Sequence, residues 1–221
     1  ESMNDTIIKL ADNSKGFEFG NARPIVNFIR AEESNLAMTN TFEDITIDCL
    51  VGGYVHGNEP SHHVPYLYAW TSQPWKTQYW LREIMNKMYR NDIRGLGGND
   101  DCGQMSAWYI FSAMGFYPVC PGSDEYALGA PLFKNAIIHL ENGNDIVICA
   151  ENAKEDGERG GIGKESSTNS CEPLNVFISE MKLNGSLWNE NFIRYSDLLD
   201  GARIDFQMSD TPNYNRGALS K

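Results

Sequence analysis

The sequence predicts an α+β protein in which a helical part is followed by an antiparallel β-sandwich segment. Apolar residues recur at helical spacing between residues 74 and 114, whereas short β-branched runs bounded by turn residues dominate after residue 121. The chain has 221 residues, of which 41% are hydrophobic. It can therefore bury a sizeable core, in one large domain or two small ones.

Two helices are predicted in the first part. One begins at Pro74, because proline suits the first helical position, and continues through Tyr89 with its apolar residues on one face. The other runs from Gln104 to Met114 and is stopped by Gly115. The aromatic residues of this second helix are expected in the core.

Several strands are predicted after residue 121. Residues 136–140 and 145–150 form a hairpin around an Asn-Gly turn, and residues 176–183 and 188–195 form another around a second Asn-Gly turn. A last strand covers residues 202–208. These pairings predict that the sheet is antiparallel.

The remaining segments complete the predicted domain organisation. Residues 153–173 are rich in glycine, serine, lysine and glutamate, which predicts a mobile surface loop. We expect residues 1–50 to be a helical or irregular segment, 51–120 to carry the site motifs and 121–221 to be β-rich.

The composition excludes several function classes. Eighteen lysine and arginine residues against 30 aspartate and glutamate residues give a net charge of −12, which repels phosphate backbones, so nucleic acid is not expected as a partner. No apolar run approaches the roughly 20 residues that span a bilayer. The five cysteines contain no CxxC pair, so neither a zinc ribbon nor a dense disulfide framework is indicated, although one or two bridges remain open.

Residues 56–63 read His-Gly-Asn-Glu-Pro-Ser-His-His and hold three of the four histidines. His56 and Glu59 have the spacing of a helical zinc motif, but Gly57 and Pro60 oppose a regular helix there. A loop that binds a hard cation fits better, because Glu59 offers a carboxylate and Asn58 an amide oxygen. The alternative is that the histidines cap helices or are satisfied in the core.

Residues 99–104 read Asn-Asp-Asp-Cys-Gly-Gln and end where the second helix begins. Glycine lets the backbone turn tightly, so Asp100 and Asp101 can be presented to a ligand as acid or base groups. The alternative is an Asx-type turn that caps the helix.

Four motifs occur in one order along the chain: Tyr-Val-His-Gly-Asn-Glu-Pro-Ser-His-His at 54–63, Gln-Pro-Trp-Lys-Thr-Gln at 73–78, Gly-Asn-Asp-Asp-Cys-Gly-Gln-Met-Ser-Ala-Trp-Tyr at 98–109, and Gly-Phe-Tyr-Pro-Val at 115–119. They resemble the family 92 glycoside hydrolases, and the resemblance covers residues 50–213. It implies the helical part of an (α/α)6 barrel associated with a β-sandwich. It also implies a calcium-dependent exo-α-mannosidase that acts on mannose-containing glycans with inversion, in a secreted or periplasmic location.

The resemblance assigns roles to the two clusters. An inverting glycosidase needs a carboxylic acid that protonates the leaving oxygen and a carboxylate that activates water. Asp101 is expected to contact that water and Asp100 to orient it, while Glu59 and the backbone around His62 help to hold calcium. The residues expected to contact sugar hydroxyls, or to support those that do, are Asn58, His63, Asn99 and Gln104.

The chain departs from the family pattern in two places. The family's general acid is a glutamate upstream of the Gly-Asn-Glu-Pro segment, and no counterpart precedes residue 50. The expected partner is therefore an N-terminal part of the same polypeptide, and the chain opens on Glu1 like a fragment or a processed product. Near the end, Arg216 stands where the family has tryptophan. A non-catalytic carbohydrate-binding remnant and a structural module, with turn chemistry in both clusters, remain open alternatives.

Overall fold

The computed structural model describes residues 50–51, 54–91, 93, 95–153 and 175–217. Its two α-helices are α1, Trp75–Met88, and α2, Gln104–Met114, which confirms both predicted helices. Shorter 3-10 turns cover Glu59–Ser61, Val64–Trp70 and Tyr195–Asp197. The strands in the described part are β1 (Leu50–Val51), β2 (Tyr54–Val55), β3 (Phe116–Tyr117), β4 (Glu125–Leu128), β5 (Asn135–His139), β6 (Asp145–Cys149), β7 (Phe177–Leu183), β8 (Ser186–Leu187), β9 (Phe192–Arg194) and β10 (Ala202–Ser209).

These strands form one five-stranded sheet and two smaller ones. The large sheet has the order β5-β6-β10-β7-β8, a second sheet has the order β3-β4-β9, and β1 pairs with β2. The predicted hairpin of β5 and β6 is confirmed, with Ile137 opposite Val147. The sheet is mixed rather than purely antiparallel, because β10 runs parallel to β6. Hairpin turns predict only pairs of neighbouring strands, so sequence could not reveal this pairing across some 50 residues.

The second predicted hairpin is wrong in its second strand. The Asn184-Gly185 turn leads into the two-residue strand β8, which pairs with β7, whereas β9 joins the other sheet against β4. Between them the Trp188 indole donates to the Phe192 carbonyl at 2.9 Å. Asn191 is buried there and donates to the carbonyls of Ala69 and Gly217. Residues 188–195 therefore pass from one sheet to the other instead of forming one strand.

Two hydrophobic clusters build the core. One surrounds the helices and the other fills the space beneath the large sheet; their most buried members include Tyr54, Tyr66, Leu81, Ile84 and Trp108 in the first and Ile148, Ile178, Met181, Ile193 and Ile204 in the second. The buried Gln78 of α1 joins helix to sheet, because its Oε1 accepts a hydrogen bond from the Ile178 amide at 2.8 Å. This contact fixes α1 against β7.

Arg216, which departs from the family pattern, lies inside the fold. It is buried and donates to the carbonyls of Trp188 and Glu190 at 3.3 and 3.1 Å. Burial lowers the pKa of this guanidinium to about 10. The arginine thus stabilises the end of the segment that crosses between the sheets.

Several predicted segments lie outside the residues that the structure describes. The segment 1–50 lies outside the described residues except for Leu50, as does the loop 153–173 except for Ala153. The (α/α)6 barrel and the division at residues 50 and 120 remain predictions. No described helix is both long and apolar enough to cross a membrane.

Candidate active site

Residues 56–63, called here the histidine loop, fold as a turn rather than a helix face. Proline at the start of the 3-10 turn Glu59–Ser61 limits the loop to two tight hydrogen bonds, from the Ser61 amide to the Asn58 carbonyl and from the His62 amide to the Glu59 carbonyl, each 2.9 Å. The absence of a regular helix was predicted from Pro60 and is confirmed.

His56 is fully buried and is held by two tyrosines. Its Nδ1 lies 3.0 Å from the Tyr54 hydroxyl and its Nε2 lies 2.7 Å from the Tyr89 hydroxyl. Both tyrosine hydroxyls also donate to backbone carbonyls, Tyr89 to Met105 at 3.1 Å and Tyr54 to Ser61 at 3.3 Å. Burial, reinforced by the neighbouring His62, holds the pKa of His56 well below its ordinary value.

His62 connects the histidine loop to α2. Its Nε2 donates to the His56 carbonyl at 3.0 Å, so its Nδ1 accepts from the Gln104 amide at 3.3 Å. The Trp108 indole of α2 donates to the His62 carbonyl at 3.0 Å. Burial lowers the pKa of His62, and both ring nitrogens are used within the protein.

Residues 99–104, called here the aspartate loop, separate the roles of their two carboxylates. Asp100 Oδ1 accepts from the Ser106 amide at 2.9 Å and Oδ2 from the Ser106 hydroxyl at 3.0 Å. Asp101 is exposed and adopts a positive φ of 45°, as does Cys102 at 58°. Asp100 therefore caps the first turn of α2 from six residues away, which is not the two-residue spacing of an Asx turn, and Gly103 occupies the N-cap position. Asp101 is turned outward.

The two loops meet at their carboxyl groups. The pKa of Glu59 is lowered and that of Asp101 is raised, in each case chiefly by the hydrogen bond between the two side chains. The backbones also approach closely, since a Cβ added at Gly98 would lie 3.4 Å from the Gly57 carbonyl oxygen. Glu59 and Asp101, which are 42 positions apart in sequence, thus form one acidic site.

A buried oxygen at this site has no partner. Glu59 Oε1 is inaccessible to solvent and makes no hydrogen bond, which is costly for a carboxylate. An orphaned carboxylate oxygen beside a second carboxyl group fits a hard cation such as calcium. Within the described ranges no three side chains of histidine, cysteine, aspartate or glutamate are grouped to hold a metal, so further ligands would be carbonyls, amides, water or the substrate.

The other predicted residues are distributed around this pair. Gln104 lies between the loops and donates to both His62 Nδ1 and the Tyr117 hydroxyl, the latter at 3.1 Å. Asn58 and Asn99 are exposed, and His63 precedes the 3-10 turn Val64–Trp70, where burial lowers its pKa. The structure thus brings Glu59 together with Asp101 and His62 together with Gln104.

Sequence reasoning missed Ser106, Tyr89 and Tyr117 as parts of the site. Ser106 follows Asp100 by six residues rather than the two or three of an N-cap interaction, so no local capping signal marks it. Tyr89 and Tyr117 carry no such signal, since their contacts with the loops depend on tertiary folding.

The chain is similar to known glycosidases. The model of the glycosyl hydrolase family 92 catalytic domain matches residues 28–210. An uncharacterized secreted glycosidase of Arthroderma benhamiae is 26% identical over 153 residues, which are 69% of this chain and 18% of that protein.

Two solved structures from Bacteroides thetaiotaomicron are similar to this chain. One is a family GH92 α-mannosidase in complex with mannoimidazole, with 39% identity and a TM-score of 0.67 over 78% of this chain and 20% of that chain. The other is a family GH92 inverting mannosidase, with 35% identity and a TM-score of 0.66 over 97% of this chain and 25% of that chain. The chain thus spans about a fifth of the length of these relatives, and it belongs to glycosyl hydrolase family 92.

Proposed function

We propose that this chain carries the water-activating and calcium-binding part of an exo-α-mannosidase, which removes terminal non-reducing α-mannosyl residues from glycans with inversion. The observation that carries the proposal is the close approach of the two loops at Gly57 and Gly98, which brings Glu59 and Asp101 together. Family membership and the two mannosidase structures support the substrate class and the stereochemistry.

Asp101 is the proposed general base. It is exposed to solvent, and its neighbour Asp100 already has both oxygens engaged by Ser106. A base must hold a water on the face of the sugar opposite the leaving group, and an outward-turned carboxyl group can reach such a water. The pKa of Asp101 is raised, chiefly by its hydrogen bond to Glu59, which makes the ionised carboxylate a stronger base.

The general acid is proposed to lie in a segment that corresponds to the part of the relatives' chains that this chain does not cover. An inverting enzyme places its two carboxyl groups about 6.5 to 9.5 Å apart. Asp100 and Asp101 are adjacent in sequence and Asp100 caps a helix, so these two do not form the acid and base pair. The partner of this chain is accordingly an upstream part of the same polypeptide.

Calcium would be held by the Glu59 carboxylate and by the backbone around His62, since the His62 ring nitrogens are occupied. When bound, calcium would supply positive charge that favours ionised carboxylates and polarises the hydroxyls of mannose, which would favour a flattened ring. Exposed Asn58 and Asn99, with His63 and Gln104, are proposed for the sugar hydroxyls or their support.

The anomer that forms first tests the proposal. The longer polypeptide that contains this chain would be given α-mannosyl fluoride, whose fluoride leaves without a proton from the acid, and the product would be followed by proton NMR. We expect β-mannose first, loss of turnover in a chelator and recovery on adding calcium. First formation of α-mannose, or full activity in the chelator, would contradict the proposal.

A second candidate is a carbohydrate-binding or structural remnant. It is favoured by one observation, that the chain matches only about a fifth of its relatives' length. Calorimetric titration with mannose beside the turnover assay separates the two, because a remnant binds mannose without hydrolysing mannosides and a structural module does neither. A secreted location is also proposed, because the fungal relative is a secreted glycosidase.

A further inference from the structure

Ser106 engages the whole carboxylate of Asp100. Its backbone amide reaches Oδ1 at 2.9 Å and its side-chain hydroxyl reaches Oδ2 at 3.0 Å. Hydrogen bonds to an ionised group are stronger than neutral ones, and two from one residue also fix the carboxylate's orientation. We call this pair of hydrogen bonds the Asp100 clamp.

The backbone on either side of Asp101 is fixed to the same helical turn. The Met105 amide donates to the Asp100 carbonyl and the Gln104 amide donates to the Asp101 carbonyl, each at 3.2 Å. Between these anchors Asp101 and Cys102 hold positive φ values that residues with side chains rarely adopt. Such a conformation persists only when its surroundings enforce it.

The helix that carries the clamp is itself fixed to the histidine loop. Trp108, two residues after Ser106, is fully buried and donates to the His62 carbonyl at 3.0 Å. The first turns of α2 therefore set the distance between the aspartate loop and the loop that carries Glu59.

We propose that Ser106 is a positioning residue, which acts through Asp100 to keep the Asp101 carboxyl group directed at Glu59. The inference rests on the proposed function for its effect on turnover. Ser106 does not contact substrate; it holds the turn from which Asp101 projects.

Replacing the hydroxyl alone tests the clamp. Ser106→Ala keeps the amide donor and loses the hydroxyl, so we expect kcat in the longer polypeptide to fall about tenfold while KM changes less than about twofold. Ser106→Thr restores the hydroxyl on the same Cβ and should restore kcat.

A serine on the same helix supplies the matched control. Ser112 is fully buried and its hydroxyl lies 2.8 Å from that of Tyr66, a residue outside both loops. Ser112→Ala should lower thermal stability at least as much as Ser106→Ala and leave kcat unchanged. A general loss of stability would lower activity in both variants alike.

Nuclear magnetic resonance tests the clamp without any turnover. Amide resonances of Asp101 and Glu59 should shift in Ser106→Ala, return in Ser106→Thr and stay in place in Ser112→Ala. If the wild type fails to hydrolyse α-mannosides, the proposed function is wrong while these resonances still decide the clamp. Wild-type kcat together with unmoved Asp101 and Glu59 resonances in Ser106→Ala would overturn the inference.

Discussion

The histidine loop and the aspartate loop are equally polar in sequence but are held in different ways. Rings of the histidine loop are directed into the core, where His56 and His62 bond to tyrosines, a glutamine and backbone carbonyls. The aspartate loop lies nearer the surface, where Asp100 is engaged and Asp101 is exposed. The first loop therefore uses most of its polar groups for structure, and the second leaves one carboxyl group available.

Glu59 is the exception within the histidine loop. It is the loop residue with an orphaned buried oxygen, and its partner is Asp101 rather than a histidine. The number of histidines in a cluster is therefore a poor guide to its chemistry. What matters is which groups remain without an internal partner once the chain has folded.

The largest expected effect is the loss of activity when Asp101 rather than Asp100 is replaced. Asp101→Asn in the longer polypeptide should lower kcat for α-mannoside hydrolysis by at least about 10³-fold, because the amide cannot accept a proton from water. Asp100→Asn should lower kcat less and lower the unfolding temperature more, because Asp100 accepts both hydrogen bonds from Ser106. Steady-state kinetics and thermal unfolding of both variants measure the contrast; retained activity in Asp101→Asn would refute the base assignment.

Calcium is expected to stabilise the fold by binding at Glu59. If calcium binds the folded wild type, it should raise the free energy of unfolding, by about 2.7 kcal/mol at a concentration 100 times its Kd. Glu59→Gln should abolish that response to calcium and chelator, as followed by thermal unfolding. Glu83→Gln is the control, since Glu83 pairs with Lys87 on α1 and should leave the response intact. A wild type indifferent to chelator would refute the site.

Local signals predicted the helices and one hairpin of this fold. Pro74 marks the start of α1 and Gly115 marks the end of α2. Both signals depend on local backbone geometry, so both helices were predicted. The parallel pairing of β10 with β6 and the joining of β9 to β4 depend on distant residues, and no turn motif encodes them. Asn191 lies next to β9 and donates hydrogen bonds to the carbonyls of Ala69 and Gly217. No sequence motif around Asn191 predicts these contacts.

The site was predictable as a set of residues but not as a geometry. The two clusters stood out because carboxylates, histidines and glycines were concentrated there, and Pro60 excluded a helical metal motif. That Asp100 would be engaged and Asp101 exposed could not be read from two identical neighbours, since it depends on positive φ values and on Ser106. The meeting of Glu59 with Asp101 likewise required the fold.

Trp108 should show how strongly α2 holds the histidine loop. Trp108→Phe removes the indole donor from the buried His62 carbonyl and leaves a small cavity, so we expect the free energy of unfolding to fall by about 2 kcal/mol. Trp75→Phe is the control on α1, where the tryptophan is half-buried and contacts Phe177 and Tyr214, and it should cost less. Urea unfolding measures both; equal losses would show that the contact with His62 adds little.

The smallest expected effect is a pH dependence from the interior of the histidine loop. Because the pKa of His56 is lowered in the folded state by burial and by His62, the unfolded chain binds a proton at this position that the folded chain does not. Stability from this group is therefore complete above about pH 6.5, the unfolded value, and falls as the pH drops toward the folded value. His56→Gln should reduce the slope of the unfolding free energy against pH by at most one proton, or about 1.4 kcal/mol per pH unit. Urea unfolding between about pH 5 and about pH 8, in steps of about half a unit, measures this slope. The control is His139→Gln at an exposed position of β5, which should leave the contribution of His56 in place. An unchanged slope in His56→Gln would show that the contacts of His56 with Tyr54 and Tyr89 accommodate its protonated form.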